Sequence, residues 1–148
     1  MVDLHPQLKA DTVEIGRFPL CRLLLMKDAN YPWFILLPDR AGVTEIYQLS
    51  AEDRQQLMRE SARLSEALVA AFRPDKLNIA ALGNVVPQLH IHHIVRYRTD
   101  PAWPAPVWGK VPAVPYGTDG LAAMVGRIKS ALGAETGFEP VAGREGES

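Results

Sequence analysis

The stretch QLHIHH, residues 88–93, places three of the chain's four histidines within four positions, close behind a glutamine. If the longer segment QLHIHHIVRY is a β-strand, its side chains alternate between two faces. Gln88, His90 and His92 then share one face, and Leu89, Ile91 and His93 share the other. Same-face positions lie about 6.5–7 Å apart along a strand. An amide and two imidazoles in such a row can line up along one ligand, or surround one atom with help from other elements. A core rarely takes three consecutive inward polar positions, because an unsatisfied buried polar group is costly, so the row is either functional, the favoured reading, or exposed or structurally bonded. His93 faces the other way and is expected to be structural.

Working outward, KLNIAAL precedes the row, joined to it by Gly83-Asn84 and a few apolar residues, and the spacing suits an antiparallel pair. Ahead of it, Ser50 and Asp53 open a helix from about Ala51 to Phe72, with Leu57, Leu64, Leu68 and Phe72 on one face. Arg54, Glu60, Arg63 and Glu66 suit its wet side, and Arg73-Pro74 ends it. Further upstream, VEIGRF, CRLLLMKD and WFILLP read as strands, with turn chemistry in DANYP and a short opening helix in LHPQLKADT. DPAWPAPVWGKVPAVPYG holds five of the 12 prolines and is irregular; a last helix runs roughly from Asp119 to Leu132. Short connections between these elements predict an α+β fold with antiparallel pairing. A single domain is expected over 1–132, with a mobile Gly-rich tail over 133–148.

Composition limits the function. The chain has 148 residues, a net charge of −1 and 22% charged residues, so nothing suggests a surface for nucleic acid. One cysteine, Cys21, excludes a disulfide framework and any CxxC pair. It sits in an apolar run and is expected to be buried. No apolar stretch approaches the ~20 residues of a membrane span, and the N-terminus does not resemble a signal peptide. No membrane partner and a cytoplasmic location are expected.

Two chemistries suit the row. Zinc generally needs three protein ligands. Here the third would have to be an acid such as Glu45, Glu52 or Asp100, and no motif spacing supports one. No metal site is expected. The second is nucleophilic catalysis: a neutral imidazole attacks phosphorus, provided its other ring nitrogen donates its proton to a fixed acceptor. That chemistry formally requires no metal or other cofactor.

The segment NIAALGNVVPQLHIHHIVRY resembles the signature of the histidine triad (HIT) superfamily, His-φ-His-φ-His-φ-φ with φ apolar. LLLMKD, WFILLP and the long helix fall in the family's order, so the resemblance covers roughly residues 15 to 98. It implies a sheet of about five antiparallel strands, one long helix and one or two shorter ones. By residue, the resemblance makes His90 the nucleophile on the α-phosphate and His92 a phosphate-holding histidine. Gln88 stands where the family usually has histidine; it can donate through its amide but cannot act as an acid. Asp28 falls where the family bonds ribose hydroxyls, Asn78 near a phosphate contact, and Gly83-Asn84 at a Gly-Gln whose backbone approaches phosphate. Val85 replaces a hydroxyl that aids the leaving group in many members. Gln88 and the following DPAWP…VW stretch resemble a bacterial branch. Trp103 and Trp108 either stack on a base or plug the fold, plugging being favoured; Arg96 and Arg98 read as solvent or interface charges rather than phosphate clamps.

The resemblance implies a nucleotide hydrolase or transferase working through a covalent His90-nucleotidyl intermediate. Its substrate would be a nucleoside 5′-phosphate derivative such as a dinucleoside polyphosphate, and the protein a homodimer. The rival is a nucleotide-binding protein with little turnover, which Gln88 and Val85 favour.

Overall fold

The computed structural model describes residues 1–133 and 137–141. Its elements in chain order are α1 (Pro6–Asp11), β1 (Thr12–Arg17), β2 (Cys21–Met26), β3 (Trp33–Pro38), α2 (Ala51–Phe72), β4 (Lys76–Ala80), β5 (Ile91–Arg96), α3 (Thr118–Leu132) and β6 (Glu139–Pro140). The six strands form one sheet in the order β4-β5-β3-β2-β1-β6, every neighbouring pair antiparallel. This is the expected α+β architecture, with six strands in place of about five.

The near-continuous apolar runs of β2 and β3 follow from burial on both faces. Leu23, Leu25, Phe34, Leu36, Ile91 and Val95 point to α2 and α3 and form the larger core. Leu24, Ile35, Leu37 and Ile94 point the other way, under Leu8 of α1 and Ala102 and Val107 of the Pro-rich segment. In α2, Ser50 Oγ accepts from Asp53 N at 3.1 Å, and Leu57, Leu64, Leu68 and Phe72 are buried. The helix ends at Arg73 in a left-handed conformation, with Pro74 behind it.

Three expectations are corrected here. Glu60 is on the buried face of α2, not the wet one: its carboxylate accepts from Leu20 N (3.0 Å), Cys21 N (2.8 Å) and Gln56 Nε2 (2.6 Å). It thus satisfies backbone donors where the chain enters β2. The buried Cys21 thiol beside it is pushed well above its usual range, first by burial and then by Glu60. Second, the strand carrying the histidines begins at Ile91, not near residue 88. Pro87 has no N–H for a ladder, and Leu89 N donates to Val43 O in a loop (3.0 Å). Third, part of the expected tail returns to the sheet. Glu139 and Pro140 pair with Arg17 and Gly16, and Phe138 is buried 5.3 Å from the Phe18 ring. A Cβ on Gly16 would lie 2.4 Å from Glu139 O, so this crossing requires a glycine there. Residues 134–136 and 142–148 of that expectation lie outside the described residues.

Candidate functional site

His92 lies on β5 opposite Ile35, on the face away from α2 and α3; its neighbour His93 lies opposite Phe34 on the helix side. His90, just ahead of the strand, sits with its ring centroid 4.8 Å from that of His92, edge to face. The pleat separates His92 from His93 and sends His93 to the core, as predicted, whereas His90 reaches His92 from the loop ahead of the strand.

The hydrogen bonds fix which nitrogen carries each proton. His90 Nδ1 lies 2.6 Å from the Gln88 carbonyl oxygen, which can only accept, so Nδ1–H donates, and in the neutral ring the lone pair is on Nε2. His92 is the reverse. Trp33 Nε1–H donates to its Nδ1 at 2.9 Å, so the ring proton is on Nε2. Burial, and then the adjoining His90 and His93, push His92 down to about 3, so it is neutral near pH 7. His93 donates from Nδ1 to Ile91 O (3.1 Å) and accepts at Nε2 from Ser61 Oγ of α2 (2.7 Å). Burial pushes it down to about 4, against the opposing effect of the Ile91 bond. It is fully buried and structural, as expected.

Gln88 departs from the expected row. Its Oε1 accepts from His5 N (2.8 Å) and its Nε2 donates to Asp3 O (2.9 Å). The carboxamide straps the N-terminal segment and does not join the two imidazoles. Its backbone carbonyl still matters, because it orients His90. The physical reason for the correction is the late start of β5: residue 88 lies outside the pleat, so the alternation argument does not reach it.

Asp28 is buried at 7% exposure in the turn after β2, and its Oδ1 accepts from Asn30 N (3.0 Å) and Val114 N (3.2 Å). Asn30 Nδ2 donates to Pro112 O (2.9 Å), which ties the Pro-rich segment over this turn. Between them lies a cavity of about 310 Å³ bounded by Asp28, Trp33, Val107, Trp108 and Val111. Trp33 and Trp108 both reach from this cavity to His92, with ring centroids 5.6 and 5.1 Å from it. On the other side a small hollow of about 20 Å³ lies between Gly83 and His90. Gly83 has φ +80°, a conformation that favours glycine, and is half-buried, whereas Asn84 is exposed and outside that hollow.

Asn78 is not brought to the histidines. Its Oδ1 accepts from Arg96 Nη1 (2.7 Å). Arg96 is itself the opposite of a solvent charge: it is 1% exposed, forks onto Asp100 (2.8 and 3.1 Å) and donates to Ala105 O (2.8 Å). It also lies 5.7 Å from the centroids of Tyr31 and Trp103. Arg98 is exposed, as expected. Trp103 is half-buried against Arg96 and does not line the cavity, whereas Trp108, at 37% exposure, does. The sequence reading missed Trp33. The available signal was a tryptophan in a strand expected to be fully buried, since a buried indole N–H seeks an acceptor.

Among the described residues no group of three or more His, Cys, Asp and Glu could hold a metal ion, and no helix is long and apolar enough to cross a membrane. Comparison with known families adds a model, HIT domain, matching residues 7–99. The chain belongs to the HIT domain family. Solved HIT-fold structures agree. A histidine triad protein from Marinobacter aquaeolei is 52% identical, with 89% of this chain and 96% of that one covered and a TM-score of 0.86. One from Bradyrhizobium japonicum is 45% identical (88% and 97% covered, TM-score 0.86), and one from Sinorhizobium meliloti 39% (88% and 96%, TM-score 0.85). No curated protein matches the chain. Membership of the HIT family supports a nucleotide-binding or hydrolase function.

Proposed function

We propose that this protein is a nucleotide hydrolase or nucleotidyltransferase acting on the α-phosphate of a nucleoside 5′-phosphate derivative, such as a dinucleoside polyphosphate. The observation that carries this reading is the pair of opposite tautomers: a lone pair on His90 Nε2 beside an N–H on His92 Nε2. His90 Nε2 attacks phosphorus, the bond to the leaving polyphosphate oxygen breaks, and a phosphoramidate joins His90 to the nucleotidyl group. Water then cleaves the N–P bond and releases the nucleoside monophosphate. His92 donates to a phosphoryl oxygen, and the Gly83 backbone lines the small hollow beside His90. Base and ribose occupy the cavity of Trp33, Trp108 and Asp28, with the Asp28 carboxylate toward the ribose hydroxyls. The Gln88 amide is engaged elsewhere and no carboxylate joins the pair, so polyphosphates, which leave as anions, suit this site best. The scheme needs no cofactor. A homodimer belongs to the same reading: β4 ends the sheet with its outer edge unpaired among the described residues, and its Ile79 is half exposed.

The rival reading, nucleotide binding with little turnover, is favoured by the engaged Gln88 and by Val85, which carries no hydroxyl and is 82% exposed. Incubation with a dinucleoside polyphosphate under EDTA separates the two. Mononucleotide release that His90→Ala reduces by roughly three orders of magnitude or more supports the hydrolase. Tight binding without release supports the rival, release that EDTA abolishes and zinc restores supports a metal mechanism, and release unaltered in His90→Ala removes the assigned nucleophile.

A further inference from the structure

Trp33 opens β3 on the face it shares with Ile35 and His92, and is 6% exposed. An indole has one polar atom, a donor, and a buried one must find an acceptor. Here the acceptor is His92 Nδ1, at 2.9 Å. A neutral imidazole has one N–H and one lone pair, so a donor at Nδ1 leaves the proton on Nε2. Trp108 stands edge-on to both rings, 5.1 Å from His92 and 5.8 Å from Trp33, and limits rotation of the imidazole. The other tautomer would turn a lone pair toward an anionic phosphoryl oxygen, and would set Nδ1–H against the indole N–H.

We propose that Trp33 is a positioning residue that holds His92 as the Nε2–H tautomer, so that His92 donates to the phosphoryl oxygen beside the attacking nitrogen of His90. Metal-bound and catalytic histidines are commonly oriented by a carboxylate or carbonyl accepting their second N–H. Here the control is inverted: an N–H donor selects the tautomer, and the histidine is kept neutral. The role in turnover rests on the proposed function, but the tautomer does not.

The test uses the full chain. Long-range NMR of nitrogen-labelled protein distinguishes protonated from bare ring nitrogens in each histidine. The expected spectrum shows His92 protonated on Nε2 with a hydrogen-bonded, unprotonated Nδ1, and His90 protonated on Nδ1. Replacing Trp33→benzothienylalanine swaps the N–H for sulfur and keeps the ring shape. The His92 Nδ1 signal is then expected to lose its bonded shift and a second tautomer to appear. With a dinucleoside polyphosphate as substrate, kcat should fall roughly 3- to 10-fold, the worth of one hydrogen bond, with KM unchanged. A merely structural tryptophan would leave the ring-nitrogen signals as they were. The proposal is overturned if His92 in the native protein is protonated on Nδ1, if the analogue leaves its signals unaltered, or if the tautomer shifts and kcat does not. Should the analogue fail to fold, the native spectrum still decides the tautomer. Absence of turnover in the native protein would remove the hydrolase reading and the catalytic half of this proposal together, and the spectra would still judge the tautomer.

Discussion

Arg96→Met removes a guanidinium whose side chain is 2% exposed while leaving its partner Asp100, at 3%, in place. Four hydrogen bonds go: two to Asp100, one to Asn78 Oδ1 and one to Ala105 O. Breaking a buried pair by deleting one member costs about 3–5 kcal/mol, because the other charge is left unpaired. Asp100 keeps the backbone donors of Tyr97, Ala102 and Trp103, and methionine repacks under Tyr31 and Trp103. The expected loss is therefore near the lower end, about 3 kcal/mol. At roughly 2–4 °C per kcal/mol for a chain of this size, Tm should fall by about 10 °C. Differential scanning calorimetry measures it. Acid provides an internal control. Burial alone would raise Asp100, but the Arg96 bond and the three backbone N–H groups outweigh it and hold the carboxyl below its usual range. A lowered folded value stabilises above the unfolded value of roughly 4, and that stabilisation is lost as pH falls through the folded one. The gap between wild type and variant should thus narrow below about pH 4. A Tm fall under about 3 °C at neutral pH, or a gap that widens in acid, would refute the buried-pair argument.

Gln88→Ala is expected to lower kcat less than about tenfold while speeding amide exchange at residues 3–5, since only one partly buried and one exposed hydrogen bond are lost; a hundredfold loss of kcat would instead make the amide a phosphate contact. Stability should fall between pH 6.5 and about 4, because His93 is neutral when folded and takes a proton when unfolded. His93 accounts for on the order of 3 kcal/mol of that window by urea denaturation, and His92, pushed down to about 3, contributes a similar amount, so His93→Gln should roughly halve the slope there. Gly16→Ala should cost about 1–3 kcal/mol by forcing β6 off β1, visible as faster exchange at Val141 N, which bonds Ile15 O (2.9 Å). Unchanged stability would mean that the crossing at Gly16 is not tight.

The sequence by itself determined most of the elements and the separation of His92 from His93. The α2 boundaries follow from Ser50, the Leu57-Leu64-Leu68-Phe72 stripe and Arg73-Pro74, all local signals, and the separation of His92 from His93 follows from the pleat alone. Asp28 was placed at a turn by its neighbours, and the turn borders the cavity. Partners far along the chain decided the rest. Trp33 sets the proton on His92 from 59 positions away, Gln88 is claimed by residues 83 and 85 positions upstream, and Glu60 is turned inward by N–H groups 39 and 40 positions before it. Arg96 reads as a surface charge until Asp100, Asn78 and Ala105 enclose it. Periodicity tells which face a side chain takes. Whether a polar group there meets water or a partner depends on which segments fold over that face, and no local pattern records that.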